Sequence, residues 1–370
     1  MNRKLIVAAI VACAVIAVAF AIPAMRGGIQ HTLATRSADS AFHSHRLNVL
    51  LIGYQADEGN SDTLILAHLD IDRRLATLVS IPRDTWVAIP GHGHQKINAA
   101  IGFGGPATTA KVVNALTGVH VDATLAVQPE GAKQLVDAMG GMNVNVERDM
   151  NYDDNYGNLH IHLKKGEQYL TGGQVLEYVR FRHDVESDWG RVRRQQTVLK
   201  ALIDQMSQPQ NWAKLPKLLA LARTDMKTNL SDAQLAALLE IYRGVPDDNV
   251  RTFTMPGRAT FVGDASVVIV DDRWAHLIGT LLFGKDDPPQ QPVLVANATG
   301  TDSVNKTLVA ALRGGGWNVP TFLDQPARAA TSVSGTSPAA NALAKAFAVT
   351  RKPASSTSLV IGTDYVPQVD

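Results

Sequence analysis

Five arginines crowd the stretch VRFRHDVESDWGRVRRQQ, Val179–Gln196: Arg180, Arg182, Arg191, Arg193 and Arg194. A guanidinium carries a planar fork of N–H donors whose geometry fits phosphate oxygens. Like charges this close repel, so the grouping costs stability unless an anion compensates it. If Val179–Asp184 is extended, the period-two alternation of side chains puts Arg180, Arg182 and Asp184 on one face. On a helix beginning near Gly190, Arg191, Arg194 and Gln195 share a face, and Arg193 points elsewhere. The bland alternative is a solvated basic surface with carboxylate partners such as Glu177 and Glu186.

Three further stretches carry usable chemistry. SIPRDTW, Ser80–Trp86, reads as a strand ending at Ile81, stiffened by Pro82, with Arg83 and Asp84 just outside. Ligands of α/β sheets bind beyond strand ends, although an exposed Arg83–Asp84 turn pair of little worth has the same sequence. GYQADEGNSDT, Gly53–Thr63, sets Asp57, Glu58 and Asp62 around Gly59 after a buried strand. Carboxylates at a strand's end suit Mg2+, a hard ion that keeps waters and borrows phosphate oxygens; a plain acidic turn looks the same. KINAAIGFGGP, Lys96–Pro106, adds a lysine and a glycine turn, but no Walker loop and no G-x-S-x-G elbow occurs anywhere. The pairs His92/His94 and His160/His162 each fit one strand face, yet a metal site needs a third ligand.

The surrounding elements must bring these stretches together. Of 370 residues, 45% are hydrophobic and 19% charged, which is the profile of a folded chain with room for two domains. A net charge of +1 argues against general nucleic-acid binding. The single cysteine, Cys13, cannot close an internal disulfide. It sits in the uncharged run Leu5–Ile22, preceded by Arg3 and Lys4. A run of about 18–20 apolar residues spans a bilayer, and the flanking cations hold the short N-terminus in the cytoplasm. The run exceeds an ordinary signal-peptide core, so residues 1–25 are expected to be a single-pass anchor rather than a signal cut after Ala21. Either way the remainder is extracytoplasmic. Residues 26–46 show no apolar period and are expected to be a juxtamembrane linker.

From Leu47 the chain alternates. LNVLLIG, TLILAHLDID and RLATLVSI read as strands, the last two joined by a turn at Asp72–Arg74. INAAIGF, ATTAKVVNALTG and EGAKQLVDAMGG read as helices, with ATLAVQ and MNVNVE as intervening strands. GGQVLEYV, RVRRQQTVLKALIDQM and LSDAQLAALLEIYRG follow as helices, the last with Ser231 and Gln234 spaced as a capping box. VRTFTM and ASVVIVD are closing strands, and DRWAHLIGTLLFG a final helix. The pattern predicts an α/β layered domain over 47–284. KDDPPQQP breaks it, giving a linker at 285–291. Residues 292–370 form a small α/β unit, with strands at VLVANATG and SLVIGTDY, helices at TLVAALRGGG and ANALAKAFAV, and a loop over Thr331–Pro338. Such a unit folds alone only marginally.

Taken in order, SDTLIL, SIPRDTWVAIPG, KINAAIGFGGP, LVDAMGGMNVNV, LKKGEQYLTGGQVLEYVRFRHD and GRVRRQQ resemble the LytR–CpsA–Psr family over about residues 47–207. VLVANATG through VIGTDY resembles the LytR C-terminal domain. The resemblance implies an α-β-α layered domain with a mixed central sheet. It also implies a membrane-anchored, Mg2+-dependent phosphotransferase, with Mn2+ as a substitute. Such an enzyme moves a glycopolymer from a polyprenyl-pyrophosphate carrier onto a peptidoglycan sugar hydroxyl and leaves a phosphodiester. Carrier hydrolysis and non-catalytic binding of lipid carrier or wall are the alternatives. By motif, Arg83, Lys96, Arg180, Arg182, Arg191, Arg194 and Gln195 bind the pyrophosphate. Asp62 of S-D-T, with Arg83, is catalytic and lies near the metal. Two positions depart from the family pattern: Gln55 stands where many members carry Asp, and Asn60 where many carry Arg. Asp57 or Glu58 is then expected to supply the missing metal-associated charge.

Overall fold

The computed structural model describes residues 28–55, 59–155, 159–181, 194, 197, 198, 201, 205, 226–283, 289–300, 308, 309 and 311–365. The first strands are β1 (Arg46–Gln55), β2 (Asn60–Asp70), β3 (Leu75–Ile81), β4 (Trp86–Ile89), β5 (Gly93–Lys96) and β6 (Ala123–Val127). Next come β7 (Met142–Val146), β8 (Met150–Asp154), β9 (Leu159–Leu163), β10 (Gly166–Leu170), β11 (Met226–Thr228), β12 (Val250–Thr254), β13 (Arg258–Val262) and β14 (Ala265–Ile269). The helices bounded within the described residues include α1 (Gly28–Ala41), α2 (Ala100–Thr117), α3 (Pro129–Met139), α4 (Gly172–Arg180), α5 (Asp232–Arg243), α6 (Asp272–Leu282) and α7 (Pro338–Ala346).

The centre is a six-stranded sheet in the order β11–β6–β1–β2–β3–β12. β1 pairs in parallel with β6 and antiparallel with β2, and β3 pairs in parallel with β12, so the sheet is mixed. β1 reads as a nearly continuous apolar run, interrupted by Asn48, because both of its faces are covered. Val49 and Leu51 enter the core beneath α1, α3, α4 and α5, while Leu50, Ile52 and Tyr54 enter the one beneath α2 and α6. β2 divides in the same way, with Ala67 and Leu69 on the first side and Leu64 and Leu66 on the second. Each large side chain so buried contributes about 1.5–3 kcal/mol. The result is the α/β layered domain expected from the alternation, in the helix–sheet–helix form that the family resemblance implies.

Three local expectations are corrected. The stretch expected to be a linker, 26–46, contains α1. Its polar composition hides a seam in which Ala38 is fully buried, and the Gln234 side chain of α5 donates to the Ala41 carbonyl at 3.2 Å. Val179 and Arg180 are not extended: they end α4, which starts at a Thr171–Gln174 capping box. Strand alternation therefore says nothing about Arg180. The loop expected over Thr331–Pro338 holds a strand, Ser332–Ser334, and Pro338 opens α7 with Ser337 as its cap.

The C-terminal strands are β15 (Val293–Asn297), β16 (Thr321–Asp324), β17 (Ser332–Ser334), β18 (Arg351–Lys352) and β19 (Thr357–Ile361), in one sheet ordered β16–β15–β19–β17–β18. This unit shares its core with the main domain, since Leu308, Leu312 and Leu343 join the same cluster as Leu277 and Leu281 of α6. Thr77 of β3 donates its hydroxyl to the Gly314 carbonyl at 3.1 Å. Gly315 lies so close to α6 that a Cβ there would fall 1.8 Å from the Leu281 carbonyl oxygen.

Candidate functional site

The site begins with an irregularity in the sheet. Gly53 pairs with Thr63, but the next residue, Tyr54, pairs with Ser61. Asp62 is therefore the extra residue of a β-bulge, and a bulge turns a side chain out of the regular alternation. Its carboxylate is almost buried, with 5% of the side chain exposed. Gln55, at the end of β1, donates its amide Nε2 to Asp62 Oδ2 at 2.7 Å. Arg83 donates Nη1 to Asp62 Oδ1 at 3.2 Å.

Arg83 stands in the tight turn after β3, where the Thr85 amide closes on the Pro82 carbonyl at 3.0 Å. The same guanidinium places Nε 3.5 Å from Asp84 Oδ2, and Lys96 Nζ lies 2.8 Å from Asp84 Oδ1. The two motifs are also joined through the backbone. Ile97 N–H donates to the Thr85 carbonyl at 2.7 Å and Asn98 N–H to the Arg83 carbonyl at 3.1 Å. The Ser61 hydroxyl donates to the Asn98 carbonyl at 3.4 Å. Val268 N–H of β14 donates to the Asp84 carbonyl at 2.8 Å, which holds the turn from its other side.

Gln55, Asp62, Arg83, Asp84 and Lys96 thus form one chain of contacts drawn from four stretches of sequence. Two carboxylates balance two cations. Among the described residues, Arg83 spends two of its five N–H donors and Lys96 one of its three on this chain, so both retain capacity for an incoming anion. The bland reading of Arg83–Asp84 as an exposed turn pair is half right. The pair exists, but Asp62 and Lys96 extend it into a partly buried network.

Glycines shape the surroundings. The turn before β2 closes through Gly59 N–H to the Gln55 carbonyl at 3.1 Å, with Gly59 at φ +65°. A Cβ on Gly102 would meet the Gly59 carbonyl oxygen at 2.3 Å, so α2 lies against this turn only because Gly102 has no side chain. α2 then breaks at Gly104 and Gly105, the latter at φ +69°, before Pro106 restarts it, as the two separate helical patterns anticipated. Near Gln55, Lys227 of β11 places Nζ 5.2 Å from the centre of the Tyr54 ring.

Of the remaining expected residues, Arg180 and Arg194 are among those described. Arg180 ends α4 beside Glu177, whose carboxyl burial pushes up in pKa while the charges of His162, Arg180 and His160 oppose that rise. Arg194 has a different task from the one expected. It is fully buried, donates Nη1 to Glu147 Oε1 at 2.9 Å and Nη2 to the Phe181 carbonyl at 2.6 Å, and lies 5.6 Å from the Phe181 ring centre. Tyr178 Oη donates to the other oxygen of Glu147 at 2.9 Å. A guanidinium enclosed in this way is a structural pin and is not presented to a substrate. Asp57, Glu58, Arg182, Arg191 and Gln195 lie outside the described residues, as does the apolar run Leu5–Ile22.

The histidine pairs resolve differently. His92 stacks on Phe103 and His94 on Trp86. His160 Nδ1 and His162 Nε2 both meet Asp153 Oδ1, at 2.7 and 3.1 Å, and the His160 bond draws that carboxyl below its ordinary pKa.

The expected magnesium site meets a difficulty. Among the described residues, no three His, Cys, Asp or Glu side chains are grouped to hold a metal. Of the carboxylates expected to bind it, Asp57 and Glu58 lie outside the described residues, while Asp62 is described and each of its oxygens already receives an N–H donor. A hard dication requires oxygen ligands, so the donor set among the described residues does not fit one as it stands. Gln55 as a partner of Asp62, and Asp84 as the link to Lys96, were not anticipated. The hints in the sequence were Gln55 at a position where the resembled family often carries Asp, and Asp84 directly beside Arg83.

A profile described as the LytR_cpsA_psr family matches residues 28–279, beginning at α1. A second, described as the LytR cell envelope-related transcriptional attenuator, matches residues 290–365. Regulatory protein MsrR of Staphylococcus aureus (strain COL) is 33% identical over 218 residues, covering 57% of this chain and 64% of MsrR. Polyisoprenyl-teichoic acid–peptidoglycan teichoic acid transferase TagV of Bacillus subtilis (strain 168) is 34% identical over 214 residues, covering 56% of this chain and 55% of TagV. The match thus spans less than two thirds of either relative's length. The crystal structure of B. subtilis TagV superposes with a TM-score of 0.52 at 30% identity, over 63% of this chain and 93% of that one. Lin1025 of Listeria innocua gives 0.51 at 30%, over 63% and 94%. With the S-D-T, S-I-P-R-D-T and K-I-N stretches joined at one sheet end and a profile that spans most of the chain, this protein belongs to the LytR–CpsA–Psr family.

Proposed function

We propose that the chain transfers a glycopolymer from a polyprenyl-pyrophosphate carrier to a peptidoglycan sugar hydroxyl. The observation that carries this reading is the convergence of Asp62, Arg83 and Lys96 at the end of β1 and β2, with Asp84 holding the two cations in place. TagV is named as a transferase acting between a polyisoprenyl-linked teichoic acid and peptidoglycan, which supports the same class of donor and acceptor here.

In this proposal the sugar hydroxyl oxygen attacks the phosphorus next to the glycan. The P–O bond to the lipid phosphate breaks, polyprenyl phosphate leaves, and a phosphodiester remains on the wall. The hydroxyl proton passes to Asp62 or to the departing phosphate. Arg83 and Lys96 exchange part of their carboxylate contacts for phosphate oxygens and stabilise the charge on the leaving group, where most phosphoryl-transfer catalysis lies. Arg180, Arg182, Arg191 and Gln195 are proposed to complete the anion site. The run Leu5–Ile22 is proposed to anchor the enzyme on the outer side of the membrane. Among the described residues no helix is long and apolar enough to cross.

The test supplies a lipid-linked glycan and purified peptidoglycan to the full chain, and measures wall-bound glycan together with released polyprenyl phosphate. Both products should appear, and both should fall in Arg83→Ala and Lys96→Ala. Undiminished rates in both variants would remove these residues from the site. Free polyprenyl phosphate without wall-bound glycan would show a hydrolase, and retained lipid without turnover a carrier-binding protein.

A further inference from the structure

Asp62 faces a cation on one oxygen and a neutral amide on the other. Gln55 is 4% exposed, so its orientation is dictated by what it touches. A carboxamide can present either its NH2 or its carbonyl oxygen. At 2.7 Å from a carboxylate oxygen, a carbonyl would set lone pair against lone pair. The NH2 end therefore faces Asp62, unless a cation lies between the two oxygens. A carboxylate in the place of Gln55 would have no such choice. Two buried anions at that distance require a cation or a proton between them.

We infer that Gln55 stands in for a divalent cation in this chain. Its N–H supplies to Asp62 Oδ2 the positive contact that a metal would supply, and Arg83 supplies the contact to Oδ1. The charge of the bound diphosphate is then met by Arg83 and Lys96, with no Mg2+ held on Asp62. Gln55 is a positioning residue, since it acts through Asp62 and touches no reacting atom. The inference rests on the pyrophosphate-site reading for its catalytic meaning. It departs from the magnesium dependence that the family resemblance implies, and it uses none of residues 56–58.

The experiment measures Mn2+ binding by electron paramagnetic resonance, and thermal unfolding in EDTA and in Mg2+, on the full chain without lipid donor. The wild type should show no saturable Mn2+ site that depends on Asp62, and the same melting temperature in both buffers. Gln55→Glu, equal in length, should melt lower in EDTA, recover in Mg2+, and bind Mn2+ about tenfold or more tightly than the wild type. Saturable wild-type binding that Asp62→Asn abolishes would overturn the inference, and this holds even if Gln55→Glu fails to fold. A folded Gln55→Glu that binds and melts like the wild type would overturn it as well. Because no donor is present, a failure of polymer transfer bears on the ligase reading alone.

Discussion

Arg83 carries the heaviest demands of any single residue. Its guanidinium spans Asp62 and Asp84 while leaving donors for an anion, which a lysine ammonium cannot reproduce in one plane. Arg83→Ala is expected to slow polyprenyl phosphate release by about 2–4 kcal/mol in the barrier, comparable to losing one preorganised donor. Arg83→Lys should recover little of it, as read from initial rates under saturating donor. Gly102 gives a second prediction. Gly102→Ala drives a methyl into the Gly59 carbonyl and should cost on the order of 1–3 kcal/mol in unfolding free energy, measured by urea titration. Arg83 and Lys96 stand out in the sequence because each is a lone cation beside a strand end or a glycine turn. Asp62 as a bulge residue does not, since the register slip that aims it belongs to the pairing of β1 with β2.

At the scale of elements, Arg194 separates structure from catalysis within the arginine-rich stretch. It ties the chain back to the end of α4 through the Phe181 carbonyl and Glu147. Removing one partner of a buried pair leaves the other uncompensated, at a cost of about 3 kcal/mol. Glu147 is 27% exposed, which places Arg194→Ala at or below that figure. Denaturant melts should show a loss for both Arg194→Ala and Arg83→Ala, the latter on the order of 1–3 kcal/mol because the almost buried Asp62 loses its cation, while transfer assays on folded protein separate them, since Arg83→Ala alone is expected to slow the reaction. Periodicity could not assign this role. It places side chains on a face of a helix, and whether that face meets solvent or Phe181 depends on how the helix docks. The same limit hid α1, whose contacts through buried Ala38 and through the Ala41 carbonyl that Gln234 of α5 meets have no apolar period to announce them.

The whole molecule couples its two units through one core, and within the main domain His68 is buried beside the end of α6. Asn48 Nδ2 donates to the His120 carbonyl at 3.0 Å, so Asn48 Oδ1 accepts from His68 Nδ1–H at 2.7 Å. The ring packs edge-on to Phe283, 5.6 Å between centres, at the end of α6. Burial lowers the His68 pKa from 6.5 to about 4. Between those values the unfolded chain binds more protons than the folded one, so stability is fully present above pH 6.5 and declines as pH falls toward 4. The loss is on the order of 3 kcal/mol. His68→Gln should flatten this part of the pH–stability curve, as followed by tryptophan fluorescence in urea. The close approach at Gly315 supplies the complementary prediction. Gly315→Val should lower the melting temperature of the whole chain, because no room exists between the C-terminal unit and α6. Two calorimetric transitions in the wild type would show instead that the units unfold separately.

The sequence by itself determined the layered α/β class, the strands flanking each motif, the capping box of α5 and the identity of the conspicuous cations. These follow from local periodicity, turn residues and side-chain chemistry, which act over a few neighbouring residues. Tertiary structure alone decided that Asp62 bulges toward Gln55, that Asp84 links Arg83 to Lys96, that Arg194 is interior, and that the C-terminal unit shares the main core. Each of these depends on contacts between segments far apart in the chain, where register, close packing and the pairing of buried charges select one arrangement among several that local pattern permits equally well.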